Sequence, residues 1–152
     1  MMTLAGHSDT IWTVAVSADG RFVATGSEDK TVRIWDRVTG NPRHVLRGHY
    51  DSIWSVAFSP DSTRVASGSE DGSARLWNVG DGSLIRQMGR PAAEYYLQAG
   101  EPLPQAAPGK PAITLETDKV AQPGSREGHV DVINSVRFSS DGQFLITASR
   151  DW

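Results

Sequence analysis

At 152 residues, with 38% hydrophobic and 22% charged residues, the chain has the composition of an ordinary globular domain. A net charge of −3 gives no global attraction to nucleic acid or anionic membranes, which favour basic surfaces. The absence of Cys excludes disulfides and thiolate metal sites, and no apolar run approaches the roughly 18–20 residues that cross a bilayer.

The N-terminal MMTLAGH has no basic start and no apolar core of a secretory signal, and no N-x-[ST] acceptor occurs. These features lead us to expect an intracellular protein, cytoplasmic and nuclear not distinguished, that binds neither nucleic acid nor membrane. Thr10–Ser17 (TIWTVAVS) then alternates as a strand, with Ile11, Val14 and Val16 as the expected buried positions. Trp12 and Thr13 break the alternation, which predicts a bulge near the strand start. Ala18-Asp19-Gly20 is a turn signal. Arg21–Ser27 is a second strand and Thr31–Asp36 a third, and Arg43–Leu46 is a short fourth. Four short strands in such a short stretch predict one antiparallel sheet.

The same script runs again. Gly6–Trp35 and Gly48–Trp77 align without a gap and are identical at more than half of their positions. Ser52–Ser59, Arg64–Ser69, Ser73–Trp77 and Ser83–Met88 are the second set of strands. A third copy begins at Gly128 as GHVDVINSVRFSSDGQFLITASRD and stops before its third strand. His49 follows His7 by the same step that separates Trp77 from Trp35, but His129 follows His49 by nearly twice that step. Six of the eight Pro fall in this excess, which central strands exclude, so an insertion fits better than a degenerate unit. Only Ala112–Val120 offers a faint strand, and Tyr95-Tyr96-Leu97 is the one aromatic cluster, a docking motif or a lid against the plainer reading of a flexible loop. The expected organisation is residues 1–48, 49–88, a Pro-rich flexible insertion at 89–127, and a truncated unit at 128–152.

His7, Thr25 and Asp29 recur as His49, Ser67 and Asp71, and in part as His129, Thr147 and Asp151. Imidazole, hydroxyl and carboxylate suggest hydrolysis. Periodic recurrence argues against it, because a nucleophile acts once per site, and no G-x-S-x-G elbow occurs. No P-loop, no His ligand spacing and no calcium loop occurs either. No catalytic residue, metal or cofactor is expected.

Gly-His, about 28 residues, then Trp35-Asp36 or Trp77-Asn78, at a period of about 42 residues, resembles the WD40 repeat. The resemblance implies an all-β fold: an incomplete β-propeller of four-stranded antiparallel blades, two plus about half a third, with the Pro-rich insertion. Such a ring cannot close within this chain. The remainder is expected from a longer chain, of which this is a fragment, or from other copies. The resemblance further implies that His7, Thr25, Asp29 and Trp35, and His49, Ser67, Asp71 and Trp77, form buried hydrogen-bonded braces. It places the residue after the first strand's Ile (Trp12, Trp54, Asn134) and the residue before the turn Asp (Glu28, Glu70, Arg150) at the top mouth of the channel. Two indoles beside two carboxylates suit an Arg- or Lys-bearing peptide. The expected function is a non-catalytic scaffold that binds proteins or peptides in complex assembly. The alternatives are a propeller-based enzyme or accessory subunit using the channel mouth, and a structural fragment without autonomous function.

Overall fold

The computed structural model describes residues 3–89 and 132–149, and the backbone of residues 115–117. The described residues are all β. Strands β1 (Ile11–Val16), β2 (Phe22–Ser27), β3 (Val32–Asp36) and β4 (Pro42–Leu46) form one antiparallel sheet in chain order. Strands β5 (Ile53–Phe58), β6 (Arg64–Ser69), β7 (Ala74–Asn78) and β8 (Leu84–Met88) form a second with the same order. The predicted strands therefore stand where alternation placed them, within a residue or two at their ends. The turns between first and second strands are locked alike: Ser17 Oγ donates to Asp19 at 2.6 Å, and Ser59–Asp61 and Ser139–Asp141 repeat the bond. Short polar side chains that bond their own backbone neighbourhood favour turns over continued strand.

The third sheet is built differently. β10 (Ile133–Phe138) and β11 (Leu145–Ser149) pair antiparallel, as in the first two sheets. The far edge of β11 carries β9 (Leu115–Thr117), which runs parallel to it. Within the faint strand of Ala112–Val120, these three residues take the edge that an antiparallel third strand takes in the other sheets. In register, Leu115 pairs with Leu145 where Trp35 pairs with Val23 and Trp77 with Val65.

Two apolar layers join the sheets. Phe22, Ala24, Val32, Ile34 and Leu46 of the first sheet meet Ile53, Val56, Val65 and Trp77 of the second. Ala66, Leu76 and Met88 on the second sheet's other face meet Ile133, Val136 and Leu145 of the third. Each fully buried Ile, Leu or Val contributes about 1.5–3 kcal/mol. The layers require close backbone approach at a glycine. A Cβ on Gly26 would lie 2.6 Å from Ile53 Cγ2, and a Cβ on Gly68 2.6 Å from Ile133 Cγ2.

The first strand departs from expectation. Ile11, Val14 and Val16 are 46%, 66% and 57% exposed rather than buried. Their counterparts Ile53 and Val56 are 0% and 3% exposed. The alternation is the same in both strands. The difference is that β5 packs on the first sheet, while no described residue covers the matching face of β1. The array is thus an open stack of sheets, not a closed ring.

Candidate functional site

Two groups of residues recur from sheet to sheet. The first is a polar chain inside each sheet. In the second, Trp77 Nε1–H donates to Ser67 Oγ at 2.9 Å. Ser67 Oγ and His49 Nε2 are 2.8 Å apart, and His49 Nδ1 and Asp71 Oδ2 are 2.9 Å apart. The Asp71 carboxylate can only accept, so the neutral imidazole carries its hydrogen on Nδ1, and the bare Nε2 accepts the Ser67 hydroxyl hydrogen. In the first sheet the same links run Trp35 to Thr25 at 2.8 Å, Thr25 to His7 at 2.7 Å and His7 to Asp29 at 2.7 Å. Each imidazole also meets its tryptophan edge-on, 6.1 Å apart for His7–Trp35 and 6.3 Å for His49–Trp77. All four members of each set named from the sequence are therefore brought together, through bonds between residues 10 to 22 apart in the chain. Of the third set, Thr147 is buried in β11, and His129 and Asp151 lie outside the described residues.

Burial raises the pKa of Asp71, but the His49 N–H, the Ser73 hydroxyl and the Tyr50 N–H outweigh it and hold the carboxyl at about 2. Asp29 is likewise held at about 2: burial raises it, and the Thr31 hydroxyl, His7 and the N–H groups of Ser8 and Thr31 together lower it by more. Burial pushes the His49 imidazole below its ordinary 6.5, against the opposing pull of Asp71. His49 is accordingly a neutral donor rather than half of a charged pair.

Sequence reasoning missed three members of this network. Thr31 and Ser73 each place a hydroxyl 2.6 Å from the turn carboxylate. Ser27 and Ser69 accept the N–H of Asp29 and Asp71, both at 3.1 Å, and donate to the carbonyls of Asp9 and Asp51. The guanidiniums of Arg33 and Arg75 lie over Gly6 and Gly48, where any Cβ would collide with them. All three pairs recur at the same fixed period as the histidines, and that recurrence of non-apolar residues was the available signal.

The second group lies at one end of the sheets. The ladder between first and second strands slips at Ile11/Thr13, Ile53/Ser55 and Ile133/Ser135. The extra residue is Trp12, Trp54 or Asn134, so each predicted top-face residue sits on a β-bulge, which re-aims its side chain. Trp12 is 47% exposed, and its ring lies 4.9 Å from that of Trp54 at an interplanar angle of 34°. Trp54 Nε1 is buried and has no hydrogen-bond partner among the described residues. Glu28 N–H donates to Thr10 O at 2.9 Å and Glu70 N–H to Ser52 O at 3.0 Å. Those bonds hold both exposed glutamates beside the strand starts that carry the bulges. Arg150 lies outside the described residues, as does Tyr95-Tyr96-Leu97. Among the described residues no group of three or more His, Asp or Glu is placed to hold a metal, and none forms a helix long and apolar enough to cross a membrane.

Like four-stranded sheets, each tied by the same Trp–hydroxyl–His–Asp chain and stacked through a glycine, define a propeller-type repeat protein. The family pattern described as "WD domain, G-beta repeat" matches residues 1–36, 40–78 and 122–152. The chain belongs to the WD-repeat family. Over 38 residues, 25% of its length, it is 55% identical to the vegetative incompatibility protein HET-E-1 of Podospora anserina, covering 3% of that protein. Over another 38-residue match it is 53% identical to eukaryotic translation initiation factor 3 subunit I of Aspergillus niger, covering 11% of it. Among solved structures it resembles U3-55K with a TM-score of 0.55 and 29% identity, over 57% of this chain and 26% of that one. The chain thus spans a small part of the length of each.

Proposed function

We propose that the chain is a non-catalytic protein-binding scaffold whose ligand surface is the bulge row Trp12, Trp54 and Asn134 with Glu28 and Glu70 beside it. The observation that carries this is the stacked indole pair, in which Trp12 is 47% exposed and lies 4.9 Å from Trp54. The exposed face of Trp12 suits a guanidinium or ammonium group, and the two carboxylates add charge pairing. An Arg- or Lys-bearing peptide fits both demands. The polar chains are braces in this reading. Ser67 is 0% exposed and committed to Trp77 and His49, so its hydroxyl has no route to a substrate. The name of the translation-factor relative supports an intracellular setting.

Isothermal titration with Arg- and Lys-containing peptides, each paired with its Gln-substituted version, tests the surface. Trp54→Ala should weaken binding about tenfold or more while circular dichroism stays native. Equal binding by wild type, Trp54→Ala and a Glu28→Lys/Glu70→Lys double variant would refute it.

A further inference from the structure

The polar chains that brace each sheet recur from repeat to repeat, whereas one set of charges belongs to the first sheet alone. Arg21, Arg37 and Arg43 are all exposed. β1 runs from the Trp12 bulge to the Ser17 turn, β2 starts beside that turn, β3 ends at Asp36 and β4 begins at Pro42. The topology therefore gathers the three arginines at the end of the sheet away from the bulge. Local contacts then fix them. Arg37 N–H donates to Arg21 O at 2.9 Å, and Arg37 Nη1 donates to Gly20 O at 3.0 Å. The Arg21 and Arg43 guanidiniums both lie over the Phe22 ring, 5.4 and 5.1 Å from its centre. Arg43 is the extra residue where the β3–β4 ladder slips, which re-aims its side chain.

The fold does not need these charges. The second sheet repeats the same backbone frame: Val79 N–H donates to Thr63 O at 2.9 Å, and the β7–β8 ladder slips at the matching place. Its residues at the three positions are Thr63, Val79 and Ile85, all uncharged, and the third copy has Gln143 where the first has Arg21. Arg64 shows an arginine used in packing. Its Nη2 donates to Gly142 O at 3.0 Å, its guanidinium lies over Phe138 of the third sheet, and Asp61 is 3.8 Å away. By contrast, none of Arg21, Arg37 and Arg43 forms an ion pair with a described carboxylate. Asp19 and Asp36 are near enough to feel the Arg21 charge, but each commits Oδ1 to its own turn. Like charges at one sheet end repel, and the frame forms equally well without them.

We propose that this arginine cluster is a second binding surface, which takes an acidic segment of a partner protein. The planar guanidinium fork matches a carboxylate with two parallel hydrogen bonds. Asp19 and Asp36 interrupt the positive charge, which suits separate carboxylates on a peptide better than the unbroken charge of a nucleic-acid backbone. The surface stands apart from the indole pair: it lies at the other end of the first sheet and takes anions where the indoles take a cation. Either can fail without the other.

Fluorescence anisotropy of a labelled oligoglutamate peptide tests it, beside the matching oligoglutamine and an oligothymidylate of equal charge. The acidic peptide should bind the chain and be released as salt rises, and the other two should bind far more weakly. The triple variant Arg21→Gln/Arg37→Gln/Arg43→Gln should weaken peptide binding about tenfold with circular dichroism unchanged. Arg47→Gln, at the far end of β4, should leave it unchanged. Should the triple variant lose its native circular dichroism, Arg37→Gln alone decides, with about a threefold weakening expected. The proposal is overturned if wild type does not bind oligoglutamate, or if the natively folded variant binds it like wild type. It is equally overturned if Arg47→Gln weakens binding as much as the triple variant, or if the oligothymidylate binds as tightly as the peptide.

Discussion

β1 and β5 carry nearly the same sequence, IWTVAV and IWSVAF, and opposite environments. In β1 the inward positions face outward to solvent; in β5 they are the centre of a core. Apolar alternation therefore specifies that a face needs covering, and a neighbouring sheet decides whether it is covered. The polar chains differ less between the two sheets, because their partners come from within each repeat. His7 and His49 side chains are 2% and 1% exposed, and Asp29 and Asp71 side chains 7% and 0%. Intra-repeat structure is reproduced in both sheets, whereas inter-repeat structure depends on position in the stack.

The largest test of that contrast is Asp71→Ala. It strips the acceptor from His49, Tyr50 and Ser73 in a fully buried site, and should cost about 4 kcal/mol in urea unfolding followed by circular dichroism. Asp29→Ala should cost roughly half as much, because water reaches the slightly more open site. Equal losses would mean that the two braces are energetically alike despite their neighbours. Ile53→Ala should cost about 3 kcal/mol by leaving a cavity, while Ile11→Ala should change stability by less than about 0.5 kcal/mol. A large effect at Ile11 would mean that the face is covered in solution, and its concentration dependence would say by what.

Acid should unfold the second sheet in two stages. His49 resists protonation when folded, so stability is present above 6.5 and declines as pH falls below it, where the unfolded chain takes the proton first. Asp71 adds stability that is present above 3.8 and lost as pH falls through about 2, worth on the order of 2 kcal/mol. Amide exchange in β6 and β7 between pH 7 and pH 2 reads both stages, and flat protection from pH 7 to pH 4 would contradict the buried neutral His49. Gly26→Ala should cost about 1 kcal/mol from pushing Ile53 and Thr13 aside. A thermal melt unchanged by that substitution would show that the first boundary has slack.

Much was legible without coordinates. Strand spans followed from period-two alternation, and the bulge at Trp12 from the break in it. The membership of the polar chains came through resemblance to the WD40 repeat. Thr31, Ser73, Arg33 and Arg75 were overlooked because polar residues in strands read as solvent-facing unless their recurrence is counted. The strand Leu115–Thr117 was legible only as the faint run Ala112–Val120, and its parallel pairing with β11 not at all, since an edge pairing with a distant segment leaves no local pattern.

By itself, then, the sequence determined everything that recurs from one repeat to the next: strands, turns, and the identities of Trp, hydroxyl, His and Asp. Tertiary structure alone decided which copies of an apolar face are core and which are surface. It also set the tautomer and lowered pKa of His49, and the stacking of Trp12 on Trp54. Local propensity acts within a repeat, whereas the covering of an apolar face and the contact between the two indoles depend on atoms that a neighbouring repeat supplies.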